Sequence, residues 1–384
     1  MPTNAAPILI ENGRVHHADR GWRDHGSVCI ADGLIVESQA DADVVAIDAS
    51  GLLVVPGLVD LHTHIFRGQD AGVEPDALGA RTGVTTMVDA GSAGAHLFGA
   101  FEASTIVPAA TRIVAFLNIA SIGITSFKLH GELQTLDYCD TAAAIAAVER
   151  HREHLVGIKV RASADVGADN AVEALRRARD VADATSLPLM VHLGPAPATV
   201  DQILDRLAPG DILTHCFTGF SGNQVADSTP RSSVRRAYER GVIFDVGHGG
   251  SGFDATVART MIDAGLPPHV ISSDVHRYSI DSIPGLPAAM SKMLALGMPL
   301  ESVITAATSA PAAVVGLREE GIGSLAPGSV ADVAAFRLDD GDVEFSDGHG
   351  HTFSGTQQLV PALTIRHGSV VFPTDAVRAM TGES

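Results

Sequence analysis

The run Leu58-Val-Asp-Leu-His-Thr-His64 ends an apolar stretch with two imidazoles spaced i and i+2. On a β-strand such side chains share a face, so His62 and His64 can offer two nitrogens to one metal ion. Other apolar runs end in residues of related chemistry: Lys159, His192, His215 and Asp274. A lone histidine closing an apolar strand is usually a satisfied core residue. Four of them at the ends of apolar runs, joined by an aspartate, form a ligand set. Imidazole and carboxylate donors suit zinc, with manganese, cobalt or iron as alternatives.

The elements that must position these residues can be read from the alternation of apolar runs and helical patterns. Strands are expected at Leu58–His64, Thr85–Ala90, Ile113–Ile119, Leu155–Val160, Pro188–His192, Asp211–His215, Gly241–Val246 and His269–Asp274. Helical patterns such as 141–150 and 170–179 lie between several of them. Eight buried strands with helical crossovers predict a (β/α)8 TIM barrel, whose chemistry sits at the C-terminal strand ends. The polar residues of this chain cluster at those ends.

Both flanks read differently. Residues 7–56 contain short strands with Asn12-Gly13 and Asp32-Gly33 turn signals. A similar texture returns at 332–337, 358–366 and 368–372. The expected organisation is a barrel over 57–322 and a small discontinuous β-sandwich built from 1–56 and 323–384.

The chain has 384 residues, 46% of them hydrophobic, and 39 glycines, which fits a packed α/β protein. Its net charge of −19 speaks against nucleic acid and anionic membrane surfaces as partners. No apolar run approaches the roughly 18–20 residues of a membrane span. Cys29, Cys139 and Cys216 are odd in number and form no CxxC pair, and the start Met1-Pro-Thr-Asn-Ala-Ala-Pro7 lacks the marks of a signal peptide. A cytoplasmic location is expected.

Several segments carry a family resemblance. Gly51-Leu-Leu-Val-Val-Pro-Gly-Leu-Val-Asp-Leu-His-Thr-His64 is similar to the opening signature of the amidohydrolase superfamily of metal-dependent hydrolases. Thr308-Ser-Ala-Pro-Ala-Ala313 and Gly323-Ser-Leu-Ala-Pro-Gly-Ser-Val-Ala-Asp332 resemble its exit from the barrel. Gly157-Ile-Lys-Val-Arg-Ala-Ser163, Met190-Val-His-Leu-Gly194, Leu213-Thr-His-Cys-Phe217 and Phe244-Asp-Val-Gly-His-Gly249 resemble the amidohydrolase/deacetylase, or dihydroorotase-like, subfamily.

The resemblance implies a centre of two divalent ions, most simply Zn2+. His62, His64 and Asp274 would hold the more buried ion, His192 and His215 the more exposed one, and Lys159 would bridge them as N6-carboxylysine. A free ammonium has no lone pair to give, whereas reaction with CO2 makes an anionic two-oxygen bridge. Lys128, in Thr125-Ser-Phe-Lys-Leu-His130, competes for that role because other branches place the lysine in a similar setting. Spacing favours Lys159: it follows a helix and ends an apolar run, while no room for a helix remains between strand 3 and Lys128. A hydroxide shared by two metals would attack a carbonyl, with Asp274 as ligand and as general base, then acid.

Substrate contacts are expected from Arg161, two residues beyond Lys159 on the same face and able to bind a carboxylate. His276, two past Asp274, His248 in a glycine-rich loop and Asn118 at the end of strand 3 complete the candidates. The leading function is deacylation of a small N- or O-acyl α-substituted carboxylate, with cyclic amide hydrolysis, as in dihydroorotase or a hydantoinase, as the alternative. Deamination of the mononuclear type needs an acid shortly after the strand-5 histidine, and His192 is followed by Leu-Gly-Pro-Ala-Pro-Ala. A metal-free binding or assembly module would lack the ligands present here. Barrels of this superfamily commonly assemble, so a homo-oligomer is expected.

Overall fold

The computed structural model describes residues 6–17, 20–38, 44–129 and 131–373. The outermost parts of the expected sandwich, the N-terminal Met1–Ala5 and His130 lie outside the described residues. The chain opens with five strands, β1 (Ile8–His17), β2 (Gly21–Ala31), β3 (Leu34–Val36), β4 (Val45–Asp48) and β5 (Leu52–Pro56). Six follow as β6 (Leu58–Thr63), β7 (Val84–Gly94), β8 (Arg112–Asn118), β9 (Leu155–Arg161), β10 (Leu189–His192) and β11 (Ile212–Thr214). After the short hairpin of β12 (Val225–Ala226) and β13 (Thr229–Pro230) comes β14 (Ile243–Asp245). The long β15 (Val333–Ser346), β16 (Thr352–Arg366) and β17 (Ser369–Pro373) end the chain.

Strands buried on both faces need cover on both sides, and this favours a parallel sheet wrapped by helices. Every residue of β6 and β7 is buried. The order β14-β11-β10-β9-β8-β7-β6 is parallel throughout. The eighth strand expected over His269–Asp274 is not a regular strand. That segment bridges both edges of the sheet, Val270 to Asp245 and Val275 to Thr63, and so closes the barrel. At its end Asp274, with a φ of 48°, turns the chain out of the pleat.

The chain ends pair as the sequence suggests, in the order β17-β16-β15-β5-β1-β2-β3, with β4 parallel to β1. They form one continuous sheet over a core that includes Ile10, Val28, Ile47, Val333 and Ile365. Among the described residues no helix is long and apolar enough to cross a membrane, and the three cysteines are free.

One helix packs on β9 and a second packs against that helix. Asp140 caps Thr141–Arg150 by accepting from the Ala143 N–H at 2.9 Å. Ala171–Thr185 buries Ala171, Ala174, Leu175, Ala178 and Val181 at helical spacing and packs on β9. Val88, Phe116, Met190, Ile212 and Val270 form an apolar cluster from four strands and the closing segment. Phe116 lies where Gly157 has no side chain: a Cβ there would stand 2.1 Å from its ring. Gly157→Val is therefore expected to destabilise the fold by about 1–3 kcal/mol through overpacking. A lower urea midpoint at unchanged m-value would register it.

Candidate metal centre

The strand ends converge. His62 and His64, both buried, approach Asp274 Oδ1 through their Nε2 atoms at 3.3 Å each, and His215 Nε2 stands 4.0 Å from Oδ2. His192 joins through His215, their ring centroids 4.4 Å apart, and is the most exposed of the four imidazoles. Lys159, fully buried, places Nζ 3.3 Å from His62 Nε2 and 3.3 Å from Met190 Sδ. All six ligand candidates are thus brought together. Lys128 is exposed, with its ammonium 5.3 Å from the Tyr278 ring centroid.

Holding this arrangement requires unusual backbone. His215 and Asp274 both adopt positive φ, 61° and 48°, a conformation that costs a non-glycine residue about 1–3 kcal/mol and collects at functional sites. The glycine-rich loop after β14 presses on both: a Cβ on Gly249 would stand 2.3 Å from Asp274 Oδ2, and one on Gly252 would stand 2.4 Å from His215 Nδ1. The loop is glycine-rich because its backbone packs against the candidate ligands.

The donor chemistry fits divalent ions. His215 Nδ1 lies 2.6 Å from the Gly247 carbonyl, which can only accept, so the proton sits on Nδ1 and Nε2 is bare. His62 Nδ1 and His64 Nδ1 lie 2.8 Å from the Thr214 and Ser92 hydroxyls. Burial pushes every one of these imidazoles below the ordinary histidine range, His64 to about 3 and His215 to about 4. Neutral imidazole is the ligating form. Asp274 Oδ1 is buried with no hydrogen-bond donor, and burial raises that carboxyl. A buried carboxylate oxygen left without a donor amid neutral imidazoles is what a cation would satisfy. Burial likewise lowers the Lys159 amine to about 7, against the opposing pull of Asp274 and Asp245.

The substrate candidates fall in different places. Arg161 is buried and gripped in a bidentate pair by Glu132, Nε to Oε1 at 2.7 Å and Nη2 to Oε2 at 2.9 Å. His276 lies beside His64, 6.2 Å between ring centroids, and stacks under Phe127 at 4.6 Å. His248 is not brought to the cluster. Its Nε2 accepts from Lys292 Nζ at 2.8 Å and its ring stacks on Phe253. Asn118 spends both ends of its amide on backbone, donating to Gly91 O and accepting from Ala120 N at 2.9 Å each, which steadies the turn beside Lys159.

Sequence reasoning missed Glu132, Phe127, Thr214, Ser92 and the acids behind them. Asp89 and Asp245 are fully buried in apolar strands, a placement that ionisable residues rarely take without partners, and this was their legible signal. Breaking one buried ion pair strands the other charge, so Glu132→Ala is expected to cost about 3–5 kcal/mol of stability. Urea unfolding would measure it, and a loss under about 1 kcal/mol, the range of an exposed pair, would mean that the pair is solvated.

No family model matches the chain. A deacetylase from Brucella anthropi is 40% identical over 359 residues, 90% of this chain and 88% of that protein. Among solved structures, a dihydroorotase superposes with a TM-score of 0.89 at 35% identity, covering 96% of this chain and 98% of that one. An adenine deaminase superposes with a TM-score of 0.88 at 28% identity, covering 96% and 100%. These names differ in reaction, while the structures agree in architecture and all three names denote hydrolases. With that sequence identity across nearly the full length, the chain belongs to the amidohydrolase superfamily of hydrolases, in its deacetylase branch.

Proposed function

We propose that the protein is a binuclear metal-dependent deacylase that removes a small acyl group from the nitrogen or oxygen of an α-substituted carboxylate. The observation that supports this most is the convergence of Asp274, with its unpartnered Oδ1, on the histidine cluster. His62, His64 and Asp274 would hold the more buried ion, His192 and His215 the more exposed one, and Lys159 would join them. Zinc is the ion assigned. Such ions, when bound, polarise a carbonyl and lower the pKa of water toward neutrality.

The chain's own groups do the rest. Lys159, an amine held near 7 by burial, presents its lone pair to CO2. The new N–C bond releases one proton and leaves an anionic carbamate. Asp274 takes a proton from the attacking water and passes it to the leaving nitrogen or oxygen as the C–N or C–O bond breaks. Arg161, oriented through Nε and Nη2 by Glu132, offers its remaining Nη1 edge to the substrate carboxylate. Phe127 and His276 stack on each other beside His64 and would shield that side of the centre. The free thiols suit a reducing compartment, and the reaction is assigned to the cytoplasm.

Metal analysis of the purified protein, with a screen of N- and O-acetylated amino and hydroxy acids against cyclic amides, tests this reading. Release of acetate by metal-bearing protein supports it. Ring opening alone moves the assignment to a cyclic amide hydrolase, a reading favoured by the 35%-identical dihydroorotase structure. A metal-free chain that stays inactive with added zinc leaves only a binding module.

A further inference from the structure

We infer that Thr214 is a positioning residue that holds His62 in the tautomer with a bare inward nitrogen, taking its direction from the Asp245 carboxylate behind it, and that Ser92, anchored to Asp89, holds His64 in the parallel place. This rests on the metal-centre reading above and assigns roles to residues outside the ligand set.

The logic lies in the number of protons. Thr214 Oγ1 stands 2.8 Å from His62 Nδ1 on one side and 2.7 Å from Asp245 Oδ2 on the other. Asp245 Oδ1 is engaged by the Ser272 hydroxyl at 2.6 Å. A carboxylate only accepts, and a hydroxyl has one proton. Thr214 therefore donates to Asp245, and its oxygen must accept from His62 Nδ1–H. Nε2 is then left bare, facing Asp274. The second contact lies in the parallel place: His64 Nδ1 meets Ser92 Oγ at 2.8 Å, and the Ser92 N–H donates to the buried Asp89 at 2.7 Å, which anchors the serine beside the ring.

His215 shows why the Thr214 relay matters. A carbonyl holds its Nδ1–H, and a carbonyl cannot reverse. A hydroxyl can. Without the carboxylate behind it, Thr214 is free to turn its proton toward His62 Nδ1, which would move the imidazole proton to Nε2 and block coordination. Asp245 thus governs the ligand from 3.7 Å, beyond hydrogen-bond reach of His62 Nδ1.

The test uses full-length protein stripped of metal and titrated with zinc against a chromogenic chelator. Thr214→Val keeps the shape, removes the relay and is expected to weaken the tighter site by about 10–100-fold. Thr214→Ser is expected to return most of that affinity, and Asp245→Asn to lose it. In metal-free protein labelled with nitrogen-15 histidine, Thr214→Val should move the His62 proton from Nδ1 toward Nε2, a readout that simple loosening of the fold does not produce. Wild-type affinity in Thr214→Val, or Thr214→Ser as weak as Thr214→Val at equal melting temperature, overturns the inference. Should Thr214→Val fail to fold, Ser92→Ala carries the same expectation for the second contact, and wild-type affinity there overturns it. Wild-type protein that binds no zinc sinks the metal-centre reading and this inference together. Tight wild-type binding unaltered by the variants sinks the inference alone.

Discussion

Asp274→Asn is expected to lower turnover by about 10²–10⁴-fold, the usual worth of a positioned acid–base group, with the fold intact. The contacts that hold this residue in place are backbone ones. Its N–H donates to His62 O at 2.7 Å, and its carbonyl accepts from Ser279 Oγ at 3.2 Å. Both survive in asparagine. The side chain, by contrast, contributes a buried oxygen without a donor, and such a group costs folding free energy. Metal-free Asp274→Asn should therefore melt no lower than metal-free wild type. Turnover and zinc content measured on the same preparation separate the two duties assigned to Asp274. Full zinc with collapsed kcat places it on the proton path, lost zinc makes it a ligand first, and near-normal kcat removes it from proton transfer.

The residues that carry this prediction were legible in sequence because alternation on a strand determines which face a side chain takes. His62, Lys159, His192 and His215 end apolar runs, and burial of those runs leaves one place for their polar tips. The same rule says nothing of rotamers or of what stands behind a side chain. Thr214 and Ser92 are small hydroxyl residues whose role depends on carboxylates 31 residues away and 3 residues away in the chain. Glu132 sits between β8 and the helix Thr141–Arg150, where no periodicity guides a reading, yet it grips Arg161 across 29 positions. His248 follows Gly247, whose φ of 48° redirects the chain, so strand alternation could not be extended to it. The eighth strand was placed correctly along the sequence but not in form. Asp274 breaks the pleat to reach the centre, and a left-handed aspartate leaves no compositional trace.

Lys159→Ala is expected to strip the protein of most of its metal and nearly all of its activity. Partial recovery should follow when a short carboxylic acid is added with zinc. The structure supports both halves of that expectation. Lys159 is the buried group joining β9 to His62, and the atoms near its Nζ, the His62 imidazole and the Met190 sulfur, offer it no carboxylate partner. An ammonium there is offset only in part, by the more distant Asp274 and Asp245, so burial prevails and lowers the amine to about 7. Removing it should therefore cost little electrostatic stability. Truncation leaves space for a small acid above the apolar cluster that includes Met190 and Phe116, and a free carboxylate can present the two oxygens that a carbamate would. Metal content and acetate release, each with and without the added acid, give the answer. Full metal in the variant would deny Lys159 the bridging role. It would not transfer that role to Lys128, which faces solvent against Tyr278; if wild type and variant each carried one ion per chain, the centre would be mononuclear.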